Sequence, residues 1–135
     1  MPVPHLACMA LVAQLYGLPP RVLPSIQAVE GGRPGLVSRN ANGTEDLGIM
    51  QINTIWLPVL ARYSKLPAAR VREKLLGDAC YNIAAAGLIL RTYLNETGGD
   101  LMRAVGNYHS HTPALHQTYR DKVTRSAARL FGAGR

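Results

Sequence analysis

The sequence predicts a mainly α fold of six or seven helices. Helix-start and helix-stop signals recur along the chain with short gaps, apolar residues between them follow the helical period, and turn formers concentrate in residues 33–47. With 135 residues, 47% of them hydrophobic, the chain suits one domain with a real core, so residues 1–135 are read as a single domain and wholesale disorder is excluded.

Leu6 to Tyr16 is apolar at Leu11, Val12 and Leu15 and stops at Gly17. Pro19-Pro20 opens the next helix, with Pro24 in or just past its first turn. Its stripe is Val22, Leu23, Ile26 and Val29, ending at Glu30-Gly31-Gly32. In the turn-rich stretch, Asn42-Gly43 is a tight-turn dipeptide, so at most a short β-hairpin is expected within 33–47. An irregular stretch of about fifteen residues in a compact domain is usually functional.

Leu47 to Tyr63 turns apolar again, broken at Pro58, and a helix starting near Leu47 would take Asp46 as its cap. Trp56, among Ile55, Leu57 and Leu60, reads as core in preference to a sugar platform. Pro67 to Leu76 is a short polar helix that ends at Gly77. Asp78 then caps a long helix running to about Thr97, whose stripe of Cys80, Ile83, Ala84, Gly87, Leu88 and Leu94 turns Cys80 to the core. Gly98-Gly99 ends it, and Asp100 caps another short helix. Thr112-Pro113 supplies an N-cap and an N1 proline to the last helix, with Leu115, Tyr119, Val123 and Leu130 inward.

Lys+Arg is 15 against 8 for Asp+Glu, a net charge of +7 that favours polyanionic surroundings. The basic residues are scattered and mostly arginine, and eight aromatics make no base-stacking platform, so nucleic acid is not the expected partner. Arg125, Arg129 and Arg135 read as a solvated face toward an anionic wall or membrane. No apolar run approaches the roughly 18 residues of a membrane span. Cys8 and Cys80 fit no C-x-x-C or metal spacing, and by themselves leave two buried thiols and one disulfide equally open.

Glu30 follows Ala28-Val29 at the negative end of an apolar helix, where both the helix dipole and burial disfavour a charged carboxylate. A carboxylic acid held protonated near neutral pH is what general-acid cleavage of a glycosidic bond requires, although a solvated glutamate at a frayed helix end also fits the position. Glu73, Asp78, Glu96, Asp100 and Asp121 read as helix-surface or capping acids, which leaves Glu45 and Asp46 in the neighbourhood of Glu30. Gln51 and Asn53 are amides among hydrophobes, suited either to a neutral polar ligand such as a sugar or to loop backbone groups. His109, His111 and His116 lie across a helix end without a supporting carboxylate, so no metal site is expected.

Glu30, the run Asn40-Ala-Asn-Gly-Thr-Glu-Asp-Leu-Gly-Ile-Met-Gln-Ile-Asn53 and Trp56-Leu-Pro resemble the small lytic transglycosylases (SLT domain) of the goose-type lysozyme-like superfamily, especially those accompanying bacterial type III and type IV secretion and conjugation machines. The likeness extends through Asp78-Ala-Cys-Tyr-Asn82, Ala104-Val-Gly-Asn-Tyr108 and Tyr108-His-Ser-His-Thr-Pro113, covering nearly all of the chain from Leu6 to Val123. It implies a lysozyme-like fold. Glu30 matches the single catalytic acid/base, Gln51 the cleft glutamine beside it, and Tyr108 the tyrosine facing the glutamate across the cleft. Asn53 and His109 fall on the same cleft segments, and Cys8 and Cys80 match positions that many secretion-associated members join by a disulfide. That bridge would contribute roughly 4 kcal/mol in the chain-entropy model and implies an oxidising compartment.

Two departures stand out. Gly31 replaces the serine that usually follows the glutamate, and His109 replaces an asparagine after the motif tyrosine, so glutamate orientation would fall to Ser110 or His109, or activity would be reduced. The implied chemistry is non-hydrolytic cleavage between N-acetylmuramic acid and N-acetylglucosamine, closing a 1,6-anhydro ring with Glu30 as acid and then base, and it needs no metal and no cofactor. The same loop also resembles that of animal-type lysozymes, whose second catalytic aspartate matches Asp46, and this keeps a hydrolytic muramidase open. A glycan-binding module of an envelope-spanning assembly, without cleavage, is the third reading. Substrate and disulfide point to the periplasm, although no export signal is evident before Leu6 and cleavage after Ala13 would remove Cys8.

Overall fold

The structure, a computed structural model, describes residues 4–132. Among the described residues, seven α-helices accompany a small three-stranded antiparallel sheet, the mainly α, lysozyme-like architecture that the sequence predicts. They are α1 (Leu6–Tyr16), α2 (Val22–Glu30), α3 (Leu57–Ser64), α4 (Ala68–Gly77), α5 (Ala79–Glu96), α6 (Leu101–His109) and α7 (Pro113–Phe131). The strands are β1 (Val37–Arg39), β2 (Glu45–Leu47) and β3 (Ile52–Asn53).

Helix ends follow the local chemistry. Gly17 and Gly31 stop α1 and α2 in left-handed conformation, and the Asp78 and Asp100 carboxylates accept from Tyr81 N–H and Arg103 N–H to start α5 and α6. At α7, Pro113 holds the first turn, yet Thr112 gives no side-chain cap; its own N–H instead donates to Ser110 Oγ at 3.0 Å. Pro19-Pro20 precede α2 rather than open it, and Pro24 sits in its first turn. Pro58 likewise starts α3 instead of breaking a longer helix, because proline lacks only an N–H that has no partner in a first turn.

The hairpin expected in 33–47 forms, in the register Val37↔Leu47, Ser38↔Asp46 and Arg39↔Glu45, with Asn40 N–H donating to Thr44 O across the Asn42-Gly43 turn. No helix starts near Leu47. The chain adds β3 instead, pairing Asp46↔Asn53 and Leu47↔Ile52, so Asp46 is a strand residue and not a helix cap. Two residues are too few for a period-two signal, which is why β3 left none in the sequence.

α5 forms the centre, with Ile83, Ala86, Ile89 and Leu90 at most 2% exposed among Leu23, Ile26, Met50 and Val105. Cys8 and Cys80 are joined by a disulfide, Cα atoms 5.6 Å apart, beside the Val12 and Tyr16 side chains that fill the space over Gly87. The pairs 8–80 and 12/16–87 rise together, so α1 and α5 run parallel. Contrary to the stripe expectation, Cys80 is exposed, because the bridge lies at the outer start of this contact. Leu11 and Leu15 also face solvent, at 68% and 72%, while Met9, Val12 and Ala13 are buried. α1 is apolar nearly all round, so its sequence selects no face.

α2 and α7 pack antiparallel, with Ser126 Oγ donating to Ser25 O at 3.0 Å at one end and Tyr119 reaching Glu30 at the other. Tyr119 and Val123 are buried as expected, but Leu115 is 53% exposed and Leu130 only partly covered. Arg125 and Arg129 are exposed, and Arg135 lies outside the described residues.

Candidate active site

The end of α2, the sheet and the α6–α7 junction enclose a cleft of about 460 Å³ whose walls include Glu30, Asp46, Gln51, Asn53, Tyr108 and His109. Every site residue expected from sequence, the cysteines apart, therefore meets in one place. Two further wall residues, Trp56 and Tyr93, pack edge to face with centroids 5.7 Å apart. Trp56 thus leans on the core while also lining the cleft.

Close approach of backbone aims Glu30. A Cβ on Gly32 would run into the carbonyl oxygens of Gly48 and Ile49, so the turn after α2 presses against the loop leading out of β2. Gly31 has φ 64°, a left-handed conformation that disfavours the serine usual here, and nothing surrounds the place its side chain would take. The glutamate is held instead by Tyr119, whose hydroxyl donates to Glu30 Oε2 at 2.7 Å. Neither Ser110 nor His109 takes that role directly: His109 lies flat on the Tyr119 ring, 4.9 Å between centroids and 9° between planes.

Burial is the main force on Glu30 and pushes its pKa from 4.5 up to about 7; the Tyr119 hydrogen bond draws it down, the Asp46 charge pushes it up, and Lys122 draws it down. Near neutral pH the residue is therefore poised between acid and carboxylate. Burial also raises the Tyr108 and Tyr119 hydroxyls well above their ordinary value, with the Glu30 charge second, so both remain donors. His109 is lowered, first by the covering of its ring and then by Lys122.

The remaining residues brace this arrangement. Tyr108 does not bond the glutamate; its hydroxyl donates to Met50 O at 2.9 Å and its ring stacks on Tyr119 at 6.5 Å. Gln51 has φ 54° and turns its amide back to Gly48 O at 2.9 Å. Asn53 Nδ2 donates to Asp46 Oδ1 at 3.0 Å and to Thr44 Oγ1 at 3.1 Å, while its Oδ1 accepts from Ile55 N–H. Asn53 thus fixes Asp46 and the hairpin, the loop-satisfying role, and is itself part of the wall. Glu96, read from sequence as a surface acid, accepts from His111 and Asn107 beyond the cleft wall. Among the described residues, no group of three His, Cys, Asp or Glu side chains is placed to hold a metal ion.

Sequence reasoning missed Tyr119 as a site residue, counting it only as core. The available signal was a phenol in an otherwise apolar stripe, since a buried tyrosine hydroxyl normally has a partner.

Compared with known families, residues 8–131 match the one described as the transglycosylase SLT domain. The chain belongs to this family. It is similar to Invasion protein IagB of Salmonella typhimurium (strain SL1344), 26% identical over 131 residues (93% of this chain, 78% of the relative), and to Protein IpgF of Shigella flexneri, 28% identical over 135 residues (96% and 84%). The match takes in both cysteines, the hairpin and all the cleft residues described above.

In this SLT cleft, Tyr119→Phe removes the one hydrogen bond that draws the Glu30 pKa down, so that pKa is expected to rise further. With Glu30 as the acid of a cleavage reaction, the alkaline limb of kcat/KM should move upward by about one pH unit, with activity at its optimum down by about tenfold to a hundredfold. A pH–rate profile of the variant checks this, and an unmoved limb would mean that Tyr119 does not act on Glu30.

Proposed function

We propose that this protein is a peptidoglycan lytic transglycosylase, with residues 1–135 as one catalytic domain and Glu30 as its acid and then its base. The observation that carries the reading is Glu30 itself, bonded by Tyr119 on the cleft wall and raised to about pKa 7, where one carboxyl group can give and take a proton in turn. In the first step Glu30 protonates the oxygen linking C1 of N-acetylmuramic acid to the next N-acetylglucosamine, and the C1–O bond breaks. The substrate's acetamido oxygen stabilises the cationic centre. In the second step the Glu30 carboxylate accepts the proton of the C6 hydroxyl, and O6 bonds to C1 to close the 1,6-anhydro ring. No water is consumed, and Glu30 ends protonated as it began.

Gln51, Asn53, Tyr108 and His109 serve in this reading as the glycan-contacting walls. The IagB relatives are named invasion proteins, which supports a role in opening the wall locally, in the periplasm, for an envelope-spanning secretion or conjugation machine. Among the described residues no helix is long and apolar enough to cross a membrane.

Asp46 favours a second reading. It shares the cleft with Glu30 and its charge acts on Glu30, so hydrolysis by the pair is chemically available. Mass spectrometry of products from purified peptidoglycan separates the two. The proposal expects 1,6-anhydromuramic ends, and only a modest loss in Asp46→Asn. Reducing ends heavier by one water, lost in Asp46→Asn, would make the protein a hydrolase. Glycan binding with no product at all would leave a binding module.

A further inference from the structure

Side chains alternate along β2, so Asp46 enters the cleft while Glu45 points to the opposite face of the hairpin. On that face lies a second groove of about 400 Å³, lined by Arg39, Asn40, Thr44, Glu45, Leu57 and Arg72 among others. Asn40 and Thr44 line both cavities, so the hairpin tip is a rim shared by cleft and groove.

Arg72 donates to Glu45 Oε1 from Nη2 at 2.9 Å and from Nε at 3.3 Å, and Arg39 Nε stands 3.8 Å from Glu45 Oε2. Two guanidinium groups thus meet one carboxylate, which leaves the groove a net positive charge. The Arg39 side chain is 87% exposed and the Arg72 side chain 40%, so both can reach a ligand.

We propose that this groove binds the carboxylate-bearing peptide stem of the glycan strand, an inference that rests on the transglycosylase reading of the adjoining cleft. The backbone sugars of peptidoglycan are largely neutral and gain little from a charged groove. The stems carried on the muramic lactyl groups are the anionic part of the polymer. The cleft offers that part only the Asp46 carboxylate, while the groove across the rim attracts it. Guanidinium groups suit the task because their fork matches a carboxylate. The site therefore selects strands that still carry peptides.

The test measures binding of soluble glycan strands to full-length Glu30→Gln protein, using peptide-bearing strands and strands stripped of peptide by an amidase and then converted to amides at the lactyl carboxyl groups this frees, so that the stripped strands are neutral. Peptide-bearing strands should bind more tightly, with an advantage that shrinks as salt rises. Arg39→Glu should weaken binding of peptide-bearing strands by about tenfold, and Arg39→Ala by about threefold, leaving stripped strands within twofold of the parent. Equal loss on both strands would show that the arginine only braces the hairpin, and no loss on either would show that the groove is unused. Both results overturn the proposal. Turnover of wild-type protein is read separately by its products. Anhydro ends without peptide discrimination reject the groove alone, whereas discrimination without anhydro ends rejects the transglycosylase reading and keeps the groove.

Discussion

Glu30→Gln is expected to lower product release from purified peptidoglycan by at least about a thousandfold while leaving the protein folded. An amide cannot protonate the glycosidic oxygen, and it cannot accept the C6 hydroxyl proton afterwards, so both steps lose their only proton carrier. The fold should tolerate the change, since Tyr119 Oη, 2.7 Å from the carboxylate, can donate to the amide oxygen instead. A variant retaining more than a tenth of wild-type activity would remove Glu30 from the mechanism.

The same substitution has a thermodynamic signature. Glu30 is raised from 4.5 to about 7, so between those values the folded protein keeps a proton that the unfolded chain has released. Wild-type stability therefore falls as pH rises through this window, and the contribution of the protonated form is gone above about pH 7. Glutamine does not titrate. The variant should gain on the wild type progressively from pH 4.5 to 7 and then hold a constant advantage of up to about 3 kcal/mol. Urea midpoints at pH 4 and pH 8 measure it. A gain equal at both would mean that the wild-type carboxyl titrates normally, and with it the physical case for a poised acid would go.

How much of this was legible before folding depends on how local each cause is. Gly17, Asp78 and Asp100 end or start helices through bonds to residues within four positions, and the sequence reveals them directly. The helix-end position of Glu30 was also readable, but that position suits a solvated glutamate equally well, and its burial beside Tyr119 needed the fold. The Tyr119–Glu30 bond was not readable, since it spans 89 residues and depends on α2 and α7 lying antiparallel. Asp46 failed for a different reason: a polar residue before an apolar segment looks the same whether it caps a helix or ends a hairpin, and pairing with Asn53 decided it. In α1, where apolar residues surround the whole helix, burial was set by where the disulfide and Gly87 let α5 approach.

The largest stability effect is expected at a residue with no place in the chemistry. Asn82 on α5 is 0% exposed, and its amide meets three backbone groups: Nδ2 donates to Leu47 O at 2.8 Å and Leu75 O at 2.9 Å, and Oδ1 accepts from Met50 N–H at 2.9 Å. These bonds hold the turn after β2, whose Met50 carbonyl receives Tyr108 and whose Gly48 carbonyl receives Gln51. Gly48, at φ 73°, exists for the same contact, because a Cβ there would collide with the Asn82 amide and the Leu75 carbonyl. Asn82→Ala removes three buried hydrogen bonds and leaves a small cavity, a cost of about 5 kcal/mol. That is comparable with the whole stability of many domains of this size and should lower Tm by about 15 °C or more. Asn82→Asp distinguishes the cause. It preserves size and the acceptor for Met50 N–H, but it turns a carboxylate oxygen toward two carbonyls, so loss of hydrogen bonds predicts damage at least as great as with alanine. If aspartate were instead tolerated near neutral pH, cavity formation rather than the amide's two donors would be what Asn82 supplies. The loop carrying Gln51 would then owe its position to packing.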